Sequence, residues 1–217
     1  MLTLSFGEGT PRLTRVLVIG AHADDIEIGC GGTVLRLVEA FPELDWCWVV
    51  LSGEGDRGSE ARASACEFVP RADRRAVIIK TFRDGFMPYT GGAIKEFFEE
   101  LAMTVSPDLI LTHWRNDLHQ DHRLVAELTW NTFRNHLILE YEIPKYDGDL
   151  GAPNVFVQLT RALSHRKVDA IVRNFPSQRS RQWFDAELFL GLLRLRGMQA
   201  HAAEGYAEAF YGYKLVI

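Results

Sequence analysis

The chain has 217 residues, 47% of them apolar, with a formal net charge of -5. That length buries one good-sized core and favours a single domain over residues 1–217, while the acidic balance argues against nucleic acid as a partner. Three cysteines, Cys30, Cys47 and Cys66, form no CxxC pair, and no apolar run reaches membrane-spanning length, so a cytoplasmic protein with free thiols and no membrane span is expected.

In chain order, short apolar runs alternate with longer amphipathic ones. "RVLVIG" reads as a strand, "GGTVLRLVEAF" as a helix stopped near Pro42, and "DWCWVVLSG" as a second strand. "SEARASACEFV" is helical in spacing, "RAVIIKTF" a strand, "GGAIKEFFEELAMTV" a helix, "PDLILTHW" a strand and "HRLVAELTWNTFRN" a helix. Strands that are continuously apolar and separated by helices indicate a parallel sheet covered on both faces. The fold class expected is therefore α/β, a Rossmann-like, mostly parallel sheet with helices on both faces. After residue 136 the pattern loosens. "HLILEYEIPKYD" and "NVFVQLT" read as strands, "HRKVDAIVRNF" and "WFDAELFLGLLRLRGMQ" as helices, and "YAEAFYGYKLVI" as a helical turn followed by a closing strand.

In open α/β sheets ligands bind beyond the carboxyl ends of the strands, and the first such end carries His22, Asp24 and Asp25 in "VLVIGAHADDIEIGCGGT". Gly29, Gly31 and Gly32 follow, yet there is no GxGxxG or Walker pattern, and Asp24, Asp25 and Glu27 would repel a pyrophosphate. The glycines read as sites of close helix packing. Two readings of the carboxylates stand side by side: helix caps, or a cation site in which the imidazole and one Asp bind zinc while the other Asp takes a proton from the bound water.

A second cluster, "THWRNDLHQDHRLVAE", follows the strand "DLILT" and holds His113, Asp117, His119, Asp121 and His122. Three histidines and two aspartates at another strand end tip the reading to metal chemistry. His119 and His122, three apart, share a helix face, so one can ligate while the other reaches substrate. Catalytic zinc keeps three protein ligands and one open position, and His22, Asp25 and His122 complete such a set. Iron(II) or another divalent ion suits the same donors.

"AHADD" after the first strand, "GCGGT" behind it and "HQDH" after a later strand resemble the PIG-L/LmbE-like family of zinc-dependent N-acetyl-sugar deacetylases. Ala23 stands where the family commonly has proline, a change that removes no functional group. "SPDLILTH", "FRDGF" and "YAEAF" are similar too, so the resemblance covers most of the chain, most strongly residues 15–127. It implies that His22, Asp25 and His122 bind the metal and that Asp24 is the general base. It further implies that His119 protonates the leaving amine or stabilises the oxyanion, and that Asp121 orients an imidazole. An arginine after the second strand and an aspartate in an "RD" segment contact the sugar in the family; Arg62 and Asp84 match here, with Arg57 in "SGEGDRGSE" as a further candidate. The implied partner is a small N-acetylated sugar or glycoside. A hydrolase of another amide and a non-catalytic sugar- or metal-binding protein are the alternatives.

The remaining features read as structural. Phe97 and Phe98 are core, Trp114 is placed to stack on a ring, and His136, His165 and His201 have no ligand-type neighbours. "RNFPSQRSRQWF" is a solvated basic turn or a contact for an anionic group.

Overall fold

The computed structural model describes residues 13–215, so the first twelve residues, "MLTLSFGEGTPR", and the last two lie outside it. Seven strands form one sheet in the order β3-β2-β1-β4-β5-β7-β6. They are β1 (Arg15–His22), β2 (Asp45–Ser52), β3 (Arg75–Ile79), β4 (Leu109–His113), β5 (Leu137–Tyr141), β6 (Val155–Leu159) and β7 (Tyr206–Gly212). The first five run parallel, and β7 is antiparallel to both β5 and β6. The expected α/β class, with a mostly parallel sheet and helices on both faces, is the one observed.

Side chains alternate across each strand, so β1 feeds two cores. Val16 and Val18 face one core, built with α1 (Asp25–Ala40), α2 (Asp56–Phe68), α5 (Arg161–Asn174) and α6 (Ala186–Gln199). Leu17, Ile19 and Ala21 face the other, built with α3 (Gly91–Thr104) and α4 (Gln120–Thr132). Burial on both sides is why these strands read as unbroken apolar runs. Phe97 and Phe98 sit in the second core, as their spacing suggested.

Two elements differ from expectation. Helix α1 begins at Asp25, six residues before the glycine pair, because those glycines lie inside it against other elements. A Cβ on Gly29 would overlap the Tyr141 ring, and one on Gly32 would overlap Leu159 and stand 2.9 Å from Glu208 Oε1. The helical turn expected at "YAEAF" is instead strand β7, entered through a turn in which His201 has φ 49° and Gly205 has φ 76°. Tertiary pairing outweighed local propensity there: β7 lies between β5 and β6 and is bonded on both edges. No helix among the described residues is long and apolar enough to cross a membrane.

Candidate metal and catalytic site

The strand order reverses between β1 and β4, which are adjacent, while their connections leave in opposite directions along the sheet. Such a switch point opens a crevice at the carboxyl ends of the two strands. His22 closes β1 and His113 closes β4, so both sequence clusters empty into this one crevice.

Within it, His22 Nδ1 lies 3.2 Å from Asp25 Oδ2 and 3.2 Å from His122 Nε2. His122 Nε2 lies 3.5 Å from Asp25 Oδ1. Zinc with bonds of about 2.0–2.1 Å at tetrahedral angles holds its ligand atoms about 3.3 Å apart; the His22 and His122 nitrogens have that spacing, and Asp25 meets each of them through a different oxygen. The groupings in which one atom of each residue lies at ligand spacing are His22 with His119 and His122, Asp25 with His113 and His122, and His22 with Asp84 and Asp121. Two imidazoles and a carboxylate are the nitrogen and oxygen donors that zinc and its divalent neighbours accept.

Asp24 stands at the N-cap position of α1, but its side chain makes no capping bond. Oδ1 instead accepts from Arg57 Nη2 at 2.7 Å, and Oδ2 is buried with no partner. Burial raises the Asp24 carboxyl above the ordinary range, with Arg57 pulling the other way. Asp25 differs. Burial works against its charge, yet His122, His113 and His22 hold it well below the usual carboxylate value. For His22 and His122 burial favours the neutral ring and is outweighed, by Asp25 and Asp121 for the first and by Asp25 and Asp117 for the second, so both are raised.

The supporting contacts are asymmetric. Asp121 Oδ2 lies 3.3 Å from His22 Nε2, and the Asp121 carboxylate accepts from Gly85 N at 2.7 Å and Met87 N at 3.2 Å. Asp84, 74% exposed, reaches the same His22 nitrogen at 3.0 Å. His122 Nδ1 faces Asp117 Oδ2 at 3.0 Å, and Lys145 Nζ holds that carboxylate at 2.9 Å. His119 caps α4, its Nδ1 accepting from Asp121 N at 3.3 Å, which leaves the ring proton on Nε2. Burial, together with His122 and His22, lowers the His119 imidazole and so favours its neutral form.

His22, Asp24, Asp25, Asp84, His119, Asp121 and His122 thus converge. Arg62 does not join them: it is exposed on α2 and lines an open groove with Gly53, Gly58, Cys66 and Thr81. The arginine that reaches the cluster is Arg57, one turn earlier, which also approaches Glu60 at 3.4 Å and Ser177 Oγ at 3.5 Å. Ser177 lies in the basic stretch "RNFPSQRSRQWF", so that stretch borders Arg57. Asp117 and His113 carried no role in the sequence reading. For Asp117 the signal was present as a carboxylate five positions before His122, but Lys145 comes from the distant segment after β5 and left no local trace. Trp114 stacks on Tyr211 with ring centroids 4.4 Å apart, so that face of its ring is taken.

A family model described as PIG-L, GlcNAc-PI de-N-acetylase, matches residues 17–133. The chain belongs to the PIG-L family. Those residues run from β1 through α4 and contain both clusters. Among solved structures, the chain is similar to the N,N'-diacetylchitobiose deacetylase of Pyrococcus horikoshii, with 20% identity, a TM-score of 0.70, and 93% of this chain and 84% of that one covered. It is similar to the zinc-inhibited form of teicoplanin deacetylase Orf2, with 14% identity, a TM-score of 0.72, and 92% and 97% covered. It is also similar to GalB, the 4-carboxy-2-hydroxymuconate hydratase of Pseudomonas putida KT2440, with 18% identity, a TM-score of 0.70, and 94% and 98% covered. At these identities the likeness is one of fold. This PIG-L fold carries a hydratase as well as deacetylases, so the chemistry has to be argued from the site.

Proposed function

We propose that this PIG-L chain is a metal-dependent hydrolase that removes the acetyl group from a small N-acetylated sugar or glycoside. The observation that carries the reading is the meeting of two segments about a hundred residues apart in one crevice, where His22, Asp25 and His122 approach one another within 3.5 Å and a buried, unpartnered Asp24 oxygen stands beside them. Membership of a family described by de-N-acetylation, and fold neighbours that are deacetylases, support the amide as the bond attacked.

In this reading His22, Asp25 and His122 hold a divalent ion, zinc or iron(II). When bound there, the ion would supply a water of lowered pKa and a Lewis acid for the acetamide carbonyl. Asp24 accepts the proton of the attacking water at Oδ2, the oxygen that Arg57 leaves free, and burial makes that carboxylate the more basic. His119, with its Nε2–H free, hydrogen-bonds to the developing oxyanion, and the proton that Asp24 took from the water passes to the departing amine. Asp121 orients the His22 ring and Asp117 the His122 ring. Asp84, exposed at the mouth, accepts from sugar hydroxyls, and Arg57 is better placed than Arg62 to join it. Free thiols, two buried and one exposed, fit a reducing compartment such as the cytoplasm.

The test is acetate release from a panel of N-acetylhexosamine derivatives by the metal-loaded protein. Asp24→Asn is expected to keep its metal while turnover falls about 10²–10⁴-fold. Unchanged turnover would remove Asp24 from the mechanism. Full metal stoichiometry in His122→Ala would show that the third ligand is misassigned.

A further inference from the structure

His113 is the one member of the second cluster that the proposed chemistry leaves idle, and it is fully buried at the end of β4. Its Nε2 lies 3.1 Å from Asp25 Oδ2. The same carboxylate oxygen accepts from His22 N at 2.6 Å and stands 3.2 Å from His22 Nδ1, so Oδ2 is crowded while Oδ1 faces His122 Nε2. The His113 ring also lies flat against His122, with centroids 3.9 Å apart and planes 15° from parallel. Tyr141 Oη, which donates to Ile19 O at 2.6 Å, closes the far side 3.4 Å from Nε2.

Ligand spacing alone admits His113 beside Asp25 and His122 as a donor set. Ring orientation argues against it. Imidazole lone pairs lie in the ring plane, so two rings 15° from parallel and 3.9 Å apart aim nearly side by side and do not converge on one ion. His22 is tilted 52° from His122, which lets their lone pairs meet. The one reachable nitrogen of His113 is already contested by Asp25 Oδ2 and by the Ala21 N–H at 3.0 Å. A proton on Nε2 gives Asp25 Oδ2 a charge-assisted bond but leaves the Ala21 N–H without its acceptor, whereas the other tautomer accepts from Ala21 N and buries an unpaired donor at Nδ1; each leaves one buried donor unpaired, and the bond to the carboxylate favours the first.

We infer that His113 is a positioning residue of the metal centre: it holds Asp25 by Oδ2 so that Oδ1 is presented, and it backs the ring of His122 so that Nε2 is aimed. The inference rests on the metal-site reading and goes beyond it by making ion affinity depend on a residue that is not a ligand. Groups of this kind behind a ligand are worth about 10–100-fold in affinity.

The test is zinc affinity of the purified full chain by chelator competition, with the thermal midpoint of the metal-free protein recorded alongside. His113→Leu is expected to weaken zinc about 10–100-fold. His113→Gln, whose amide reaches the Nε2 position and both donates and accepts, is expected to stay close to the native affinity, and His113→Asn, whose amide falls short, to behave like Leu. If Leu does not fold, the Gln and Asn pair decides, and equal affinities for those two would overturn the inference. So would a Leu variant that lowers the metal-free midpoint yet binds zinc as the native chain does. A Gln variant as empty as His122→Ala would make His113 a ligand and overturn it from the other side. If the native chain takes up no zinc, the metal-site reading falls and this inference with it; native binding with unaffected variants sinks the inference alone.

Discussion

Single side chains set what Asp24 and Asp25 can do, although they are neighbours with the same chemistry. Asp25 is ringed by imidazoles and kept charged, while Asp24 faces one guanidinium and keeps one oxygen bare. Adjacent carboxylates pushed in opposite directions by their surroundings fit the proposed division into a ligand and a base. At the opposite end of β1, Asp108 uses a single oxygen to accept from Thr14 N and Thr14 Oγ1 at 2.7 Å each and from Arg15 N at 3.0 Å. Burial is the largest single influence and opposes its charge, but the bonds from Thr14 and Arg15 together outweigh it and its pKa is lowered. A carboxylate depressed on folding stabilises above its unfolded pKa, and the contribution is lost as pH falls through the folded one. Asp108→Ala is therefore expected to cost about 1 kcal/mol at pH 7, the low end for hydrogen bonds to an exposed group. In urea unfolding followed against pH, the native and variant curves should converge in acid; a gap that persists or widens below pH 3 would count against this account.

At the scale of elements, α1 decides the geometry because Asp25 opens it and the strand before it ends at His22. Its middle is gripped from β7 and α5. Glu208 accepts from Gly32 N at 2.7 Å and from Thr33 N and Oγ1 at 2.6 Å, and Lys167 Nζ joins Glu208 Oε1 to Ile28 O at 2.7 Å each. The glycines let those groups and the Tyr141 ring approach the helix backbone. Alanine improves on glycine in a helix by about 1 kcal/mol, but overpacking a filled site costs about 1–3 kcal/mol. Gly29→Ala is thus expected to destabilise on balance, because its Cβ meets a fully buried ring whose hydroxyl is bonded to Ile19 O. A midpoint equal to or above the native one in denaturant would show that Tyr141 gives way freely.

For the whole molecule the controlling feature is the reversal of strand order between β1 and β4, which turns two unrelated strand ends into one crevice. Donors held at ligand spacing before an ion arrives favour tight binding to the folded state only. At a free ion concentration a hundred times the Kd, such linkage adds about 2.7 kcal/mol. For a chain of this size that amounts to a rise of roughly 5–10 °C in the thermal midpoint. Zinc titration should produce that rise in the native protein and none in His122→Ala; equal shifts in both would locate the binding elsewhere.

Much of the fold was legible locally. The continuous apolar runs of β1, β2 and β4 declared strands buried on both faces, and "AHADD" and "HQDH" named the candidate groups that meet at their ends. Where β7 was misread, the deciding force was pairing with β5 and β6, which no window of "YAEAF" contains. The resemblance pointed to an arginine in the helix after β2, hence Arg62, while Arg57 read as part of the loop before it; only the fold shows that α2 begins at Asp56 and turns Arg57 onto Asp24. Periodicity and residue type, being short-range, were enough for the strands, most of the helices and the list of candidate groups. Which imidazole backs which carboxylate, that Lys145 steadies Asp117, and that His113 stacks on His122 were settled only when the sheet brought distant segments within a few ångströms, because hydrogen bonding and ligation act through space and not along the chain.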